Sequence, residues 1–452
     1  MALRLYNTLS REEEDFIPLT KGHVSLYTCG PTVYNYPHIG NYRAYIFGDI
    51  LKRHLQYSGY TVAHIMNITD IDDKTIRDSI AQHKTLKEFT EFYTKAFYED
   101  RDMLHIIPAN TYTKATEYIN EMVDLIETLI EKGFAYKTAD GSIYFDIAKD
   151  TEYGKLSHFN LRDLKENAKG RLKSDEYDKD NAQDFALWKS WDENDGDVFW
   201  ETRLGKGRPG WHIECSAMSM RNLGETIDIH TGGVDNIFPH HENEIAQSEC
   251  ATGKPFVRYF MHNEHLMVNG QKMSKSLGNF YTLRDLQDKG YDPLAFRYFL
   301  YGSHYRTKTN FTLEALESSQ IALRRLEDAF RELLEVNTGT VNQMYTESLK
   351  TVLDEDLNTP KALALLWSLV KDTAVSSQDK KATLLEFDTV FGFGLAFLTK
   401  EEVPLEIANL LEERMHARQN KDWAKSDELR DQIKVLGYEV NDTDTEQKVL
   451  KM

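Results

Sequence analysis

Lys272-Met273-Ser274-Lys275-Ser276 places two cations and two hydroxyl donors within five residues, between Asn269-Gly270-Gln271 and Leu277-Gly278-Asn279. Glycines on both sides predict a loop. Far upstream stands Pro37-His38-Ile39-Gly40-Asn41. His38 and Asn41 are expected at the start of a helix, where free backbone N–H groups favour anions. Preorganised cations and donors of this kind stabilise charge that grows on phosphate oxygens during group transfer. These residue types suit phosphate chemistry: Lys272 and Lys275 could supply cations, and Ser274 and Ser276 donors. Alone, the basic pentapeptide would read as a solvated loop. No GxxxxGK[ST] phosphate loop occurs in the chain.

A second set of residues points to a metal. The chain has three cysteines, Cys29, Cys215 and Cys250. So sparse and odd a count, without a recognisable signal peptide, argues against a secreted disulfide scaffold. In a reducing compartment thiols are buried, catalytic or metal-bound. Cys29 closes the apolar run Val24 to Tyr27, and Cys215 follows Trp211-His212-Ile213-Glu214. His240 and Glu244 follow Pro239 four residues apart, which suits one face of a first helical turn. Two thiols, an imidazole and a carboxylate form a candidate Zn²⁺ set. The competing reading is structural, with a buried strand thiol and helix-start polar residues. His241 is the weaker candidate ligand, because the residue four further on is Ile245. Cys250 is assigned no role.

Five further segments carry a resemblance: Tyr27 to Tyr34, Asn67 to Lys74, Gly210 to Met218, Gly232 to Asp235, and Phe238 to Glu244. With the two phosphate motifs, and in this order, they resemble the class I aminoacyl-tRNA synthetases, and among them the cysteinyl-tRNA synthetases, over essentially the whole chain. The resemblance implies an α/β fold: a Rossmann-like catalytic domain with a connective insertion, then an α-helical bundle and a small C-terminal anticodon-binding domain. It implies ATP, L-cysteine and tRNA(Cys) as partners, Mg²⁺ with the ATP, and one Zn²⁺ on Cys29, Cys215, His240 and Glu244. His38, Asn41, Lys272 and Lys275 would be catalytic. Gly233, Asp235, Ser274 and Ser276 would join His38 and Lys275 around ATP, and Gly30, Thr69, Trp211 and His230 would meet the amino acid. The fourth letter of the HIGN motif is often His in the family; Asn41 still donates hydrogen bonds but cannot become cationic.

Zinc has a physical rationale here. Cysteine and serine differ by one atom, and an apolar pocket separates such near-isosteres only about 100-fold. A soft thiolate is a far better Zn²⁺ ligand than a hydroxyl, and the metal lowers the thiol pKa. Two rival expectations remain. One is a ligase joining cysteine to an amino sugar, whose relatives lack the C-terminal portion; the other is a non-catalytic zinc-binding paralogue.

The elements that must position these residues follow from the pattern. A chain of 452 residues implies two to four domains. Strand and helix alternate from residue 24 to about 120: VSLYT, a helix from about Asn41 to Tyr57, TVAHIMNIT, then helices near 84–104 and 111–132. The expected partition is 1–120 and 205–258 for the two halves of the nucleotide fold, 121–204 for the insertion, 259–318 for a stem-contact region carrying KMSKS, 319–400 for the bundle, and 401–452 for the anticodon-binding region. Gly141 to Asp146 reads as a strand, and the charged stretch Lys165 to Asp184 as an exposed loop. Leu316, Leu323, Leu326, Phe330 and Leu333 form one helical stripe, and Thr359 is the expected N-cap of a later helix with Pro360 following.

No apolar run approaches 18 residues, so no membrane span is expected; a monomer in the cytoplasm is. The net charge of −19 opposes a broad RNA-binding surface. A local stripe would suffice, and Arg414, Arg418, Lys421 and Lys425 share a helical face. The same residues could equally be a solvated face paired to Glu413, Asp422 and Glu428. The ending Asp442 to Gln447 departs from the family's Pro-x-Gly-Thr turn.

Overall fold

A computed structural model describes residues 2–158, 184–273, 278–400, 404–442 and 447–451. The chain divides into two compact units, Met1–Ala396 and Phe397–Met452.

The first unit is organised by a five-stranded parallel sheet. Its strands are β1 (His23–Thr28), β2 (Thr61–Ile68), β3 (Thr111–Lys114), β4 (Ile227–Gly233) and β5 (Val257–Asn263), in the order β5-β4-β1-β2-β3. Helix α1 (Ile39–Tyr57) crosses from β1 to β2, and α2 (Trp211–Leu223) and α3 (Glu242–Thr252) flank β4. The chain winds outward from β1 in both directions, so a crevice opens at the carboxyl ends of β1 and β4, where ligands bind in such sheets. Runs such as Val24, Leu26 and Tyr27 are buried because helices cover both faces of a parallel sheet.

The expected helix over 111–132 is shorter than the pattern suggested. Ile119–Glu131 is helical, but Thr111–Lys114 is the edge strand β3, paired with Ile65–Ile68. Thr-Tyr-Thr favours a pleated surface over a helix. Between the halves of the nucleotide fold lies a separate five-stranded antiparallel sheet, in the order Ala135–Lys137, Ile143–Phe145, Phe185–Ser190, Gly205–Pro209, Trp200–Thr202. The strand read at Gly141 to Asp146 is Ile143–Phe145. The loop expected over 165–184 lies, apart from Asp184, outside the described residues. Gly205-Lys206-Gly207-Arg208-Pro209-Gly210 has the spacing of a dinucleotide-binding turn. Gly205 and Gly207 instead lie in this antiparallel sheet, with Gly207 opposite Ser190.

A third, small sheet carries the basic motif. Its strands are β6 (Leu266–Val268), β7 (Gln271–Lys272) and β8 (Thr309–Phe311), with β6 central, antiparallel to β7 and parallel to β8. Helices then dominate: Leu313–Arg331, Gln343–Asp354, Thr359–Lys371 and Ser377–Phe391. The stripe of Leu316, Leu323, Leu326, Phe330 and Leu333 is buried as its spacing predicts. Asn358, not Thr359, is the N-cap of the third of these helices: its side chain accepts from the Lys361 N–H at 3.3 Å, and Thr359 and Pro360 fill the first two helical positions. Asparagine leads threonine at this position.

The second unit is a helical pair, Leu405–Gln419 and Trp423–Val435, followed by a hairpin of Tyr438–Asp442 and Gln447–Lys451. Ile407, Ala417, Leu429, Ile433 and Val440 are buried apolar residues of this unit.

Candidate active site and metal centre

Cys29 lies just past the end of β1, Cys215 in the second turn of α2, and Glu244 in the first turn of α3. His240 is not in the helix as its spacing suggested. It belongs to an irregular turn, Ile237–His241, in which Phe238 is extended (φ −137°, ψ 130°). A residue before proline is pushed out of the helical region, so α3 begins only at Glu242. The turn still aims His240 at Glu244, with Nε2 3.0 Å from Oε1. One donor atom from each of Cys29, Cys215, His240 and Glu244 lies within 4.8 Å of all the others. Cys29 is half-buried and the other three are buried. All three cysteines are free thiols.

The electrostatics of the cluster ask for a cation. Its hydrogen bond with Cys29, burial and the Glu244 carboxylate push the Cys215 thiol well up. The hydrogen bond with Cys215 lowers the Cys29 thiol, but burial with Glu244 and Asp235 outweighs it and raises that thiol too. Burial alone would lower His240, yet Glu244 and Cys215 raise it to about 10. Burial likewise opposes ionisation of Glu244, and His230 and His240 overcome it, down to about 2. The carboxylate is thus balanced by an exchangeable proton on a histidine, in a pocket whose thiols cannot ionise unaided. A divalent metal that prefers sulfur and nitrogen fits this donor set: it would replace the proton and let the thiols ionise.

Residues that motif reading passed over surround the four donors. His212 Nδ1 meets His240 Nδ1 at 2.9 Å, which holds the His240 ring and leaves its Nε2 toward Glu244. His230 Nε2 bonds Glu244 Oε2 at 2.9 Å. His241 Nε2 lies 3.2 Å from Cys29 Sγ, and its Nδ1 meets His262 Nε2 at 2.8 Å. His262 Nδ1 in turn meets Thr8 Oγ1 at 2.8 Å. Cys29, His230, His241 and Glu244 therefore make a second, overlapping donor group. The spacing argument against His241 considered only its own helix and could not see Cys29 arriving from β1. His262 is the penultimate residue of β5, so its place near the carboxyl edge of the sheet was a readable signal.

The other candidate residues divide. Trp211 is 37% exposed and stacks on His240 with ring centroids 4.3 Å apart, so it is not a core tryptophan. Gly30 donates its N–H to Asn67 Oδ1 at 2.7 Å, and a Cβ there would come within 1.8 Å of the Asn67 carbonyl oxygen. Thr69 is buried and donates to Glu214 Oε2 at 3.1 Å. Asp70, which shares the end of that strand, is engaged by the Thr116 N–H and hydroxyl at 2.9 and 2.6 Å. His230 is fully buried beneath Glu244. Gly232 packs under the His241 ring, and Gly233 precedes the exposed Asp235.

The two phosphate motifs meet. His38 caps α1: its Nδ1 accepts from the Asn41 N–H at 3.1 Å, while Asn41 Oδ1 accepts from the His38 N–H at 3.0 Å. The first turn of α1 carries no acidic side chain, which leaves the positive end of the helix dipole uncompensated. A Cβ on Gly40 would lie 3.0 Å from Met273 Cε, so the methionine of the basic motif packs against the first turn of α1. Lys272 is exposed at the end of β7, and its carbonyl accepts from Asn279 Nδ2 at 3.2 Å. Ser274, Lys275 and Ser276 lie outside the described residues.

In the second unit the basic stripe is largely spent on internal pairing. Arg414 is fully buried and forks onto Asp442 with bonds of 2.7 and 2.9 Å. Arg418 and Arg430 reach the same carboxylate at 2.8 and 3.0 Å, and Lys425 pairs with Glu428 at 3.0 Å. Hydrogen bonding from Arg414, helped by the charges of all three arginines, lowers Asp442 to about 2. Trp423 remains 57% exposed, with the Arg418 guanidinium 5.8 Å from its ring centroid.

Comparison with known proteins covers both units. Residues 15–321 match the family described as tRNA synthetases class I (C) catalytic domain. Residues 400–449 match the cysteinyl-tRNA ligase anticodon binding domain. A cysteine--tRNA ligase of Protochlamydia amoebophila is 48% identical, over 98% of this chain and 96% of that protein. One from Chlamydia muridarum is 46% identical over all of both chains. Among solved structures, methionyl-tRNA synthetase of Mycobacterium tuberculosis in complex with methionyl-adenylate overlays with a TM-score of 0.55 at 14% identity, over 82% of this chain and 90% of that one, a likeness of fold.

Proposed function

The chain belongs to the class I tRNA synthetases, in their cysteine--tRNA ligase branch, and from that premise we propose that it activates L-cysteine with ATP and transfers it to tRNA(Cys). A cysteine carboxylate oxygen attacks the α-phosphorus of ATP, the bond to pyrophosphate breaks, and a ribose hydroxyl of the tRNA then displaces AMP from the adenylate. The observation that carries the reading is the convergence of two thiols, an imidazole and a carboxylate from three separate segments at the switch point of the sheet.

Cys29, Cys215, His240 and Glu244 would hold one Zn²⁺. When bound, the metal supplies a soft acceptor that favours a substrate thiolate over a hydroxyl. The second donor group is less favoured, because it leaves out the buried thiol of Cys215. Trp211 keeps one side of the pocket apolar, and Gly30 and Gly233 let the backbone close in. Thr69 acts through Glu214, and His230 through Glu244. His38 and Asn41, at the N-terminus of α1, and Lys272 with Lys275, Ser274 and Ser276 from the KMSKS motif, would hold the phosphates of ATP with Mg²⁺. Asp235 would reach the nucleotide.

The proposal keeps the six-part partition of the chain given by its motifs, with tRNA engaged by the C-terminal unit. Asp442 neutralises much of the basic stripe, so recognition there relies on exposed Trp423 and short-range contacts more than on net charge. A monomer in the cytoplasm completes the proposal, since reduced thiols suit that compartment. Among the described residues no helix is long and apolar enough to cross a membrane. The amino-sugar reading is not favoured, because the chain carries the anticodon-binding match at 400–449. Charging of tRNA(Cys) with labelled cysteine, with serine as control, tests the whole reading. Cysteinylation without serinylation is expected; activation of cysteine without transfer to tRNA would overturn it.

A further inference from the structure

Arg43 follows Asn41 by two residues on α1, about 7 Å along the helix axis from His38 at 1.5 Å per residue. It is buried, and its guanidinium donates to three backbone carbonyls. Nη1 reaches the oxygen of His265 at 3.1 Å, and Nη2 reaches those of Tyr305, at 3.2 Å, and Thr307. None of the three is a carboxylate. Burial lowers Arg43 to about 10, with Glu264 offsetting only part of this, and the Glu264 carboxylate is itself engaged by the His265 N–H at 2.9 Å. A buried charge without a close counter-ion is costly, so its placement needs a reason.

The three carbonyls supply one. His265 immediately precedes β6, and Tyr305 and Thr307 lead into β8. These are the paired strands of the small sheet whose third strand, β7, ends at Lys272. The same sheet and its sequel touch the first turn of α1 at two more points. The Ile39 N–H donates to the Tyr281 carbonyl at 2.9 Å, and Met273 packs on Gly40. A planar fork can satisfy three divergent acceptors at once, which an ammonium on a flexible stem cannot do with the same rigidity.

We propose that Arg43 is a positioning residue: it pins the base of the sheet that carries Lys272 to the helix that carries His38 and Asn41, and so fixes the distance between the two phosphate-handling motifs. The residue touches no substrate. The inference rests on the ATP-dependent ligase reading.

The test uses the full-length zinc-loaded protein and cysteine-dependent ATP–pyrophosphate exchange, with R43M keeping the bulk and R43K keeping the charge. Zinc content and melting temperature are followed alongside. A misplacement of about 1 Å remote from the chemistry costs on the order of 100-fold in rate. R43M is therefore expected to lose about that factor in kcat, with the KM for cysteine and the zinc content unchanged. R43K should recover roughly a tenth to a third of the loss in logarithmic terms, since it can keep one of the three bonds. Should R43M fail to fold, R43K alone decides, through a lowered kcat at unchanged melting temperature and zinc content. Unaltered exchange in R43K and R43M, or a parallel loss of zinc, cysteine affinity and rate, would overturn the proposal. Wild-type protein lacking cysteine-dependent exchange would instead overturn the ligase reading on which it rests.

Discussion

Two charge clusters in this chain are built in opposite ways. Around Glu244, His230 and His240 lower the carboxylate against its burial, and the thiols of Cys29 and Cys215 beside it are raised. Around Asp442 the anion is balanced by three arginines that cannot give up their charge. The first arrangement offers donor atoms that could hold a metal ion; the second holds a hairpin to a helix. Such a donor set in the crevice of a parallel sheet marks a candidate site. A cluster closed by ion pairs marks a joint in the fold.

The largest expected effect comes from breaking the first cluster. Cys215→Ser should lower kcat/KM for cysteine activation by roughly 1,000-fold, well beyond the 10- to 100-fold cost of an outer partner, while ATP affinity stays within about threefold in equilibrium binding. Equal losses toward both substrates would break the distinction. His212→Gln, which changes only the partner of His240, should weaken zinc retention about 10- to 100-fold in a competition with a chelator, without unfolding the protein.

Asp442→Asn addresses the second cluster. It leaves Arg414 buried and under-compensated, and, because Asp442 itself is exposed, should destabilise the second unit by about 1 to 2 kcal/mol in denaturant melts. The rate of cysteine-dependent pyrophosphate exchange should not change. The pH dependence has a definite sign. Asp442 is depressed to about 2 by Arg414 and its neighbours, so its contribution is fully present above the ordinary carboxylate value of about 3.9. That contribution is lost as pH falls from there through about 2. Acid unfolding of the second unit should show this loss in the wild type, and Asp442→Asn should flatten it. The smallest effect is expected at Lys425→Ala. That pair with Glu428 is exposed on both sides, and removal should leave the melting temperature unchanged within error.

Much of the site was legible because its chemistry is local in sequence. HIGN, KMSKS and the His240/Glu244 spacing each carry their residue types within a few positions, whereas Cys29 and Cys215 are joined to them only through the family resemblance. The fold was legible for the same reason, since buried strands such as Val24–Tyr27 and the stripe from Leu316 to Leu333 are contiguous patterns. Contacts that depend on strand register were not. His262 meets His241, and Thr8 meets His262, only because β5 lies next to β4 and the N-terminal segment crosses the sheet edge. Thr111–Lys114 read as helix because its four residues have no periodicity of their own. The arginine stripe was weighed against acids on its own helices, whereas the residue that holds three arginines comes from the hairpin. A pattern search along one helix cannot see a partner 28 residues away.

X-ray absorption at the zinc edge of the purified full-length protein tests the central claim most directly. Two sulfur and two nitrogen or oxygen neighbours are expected without substrate, with Zn–S near ~2.3 Å. L-cysteine should add a third sulfur, and L-serine should change nothing. A protein without zinc, or a sulfur count that L-cysteine leaves at two, would contradict the account.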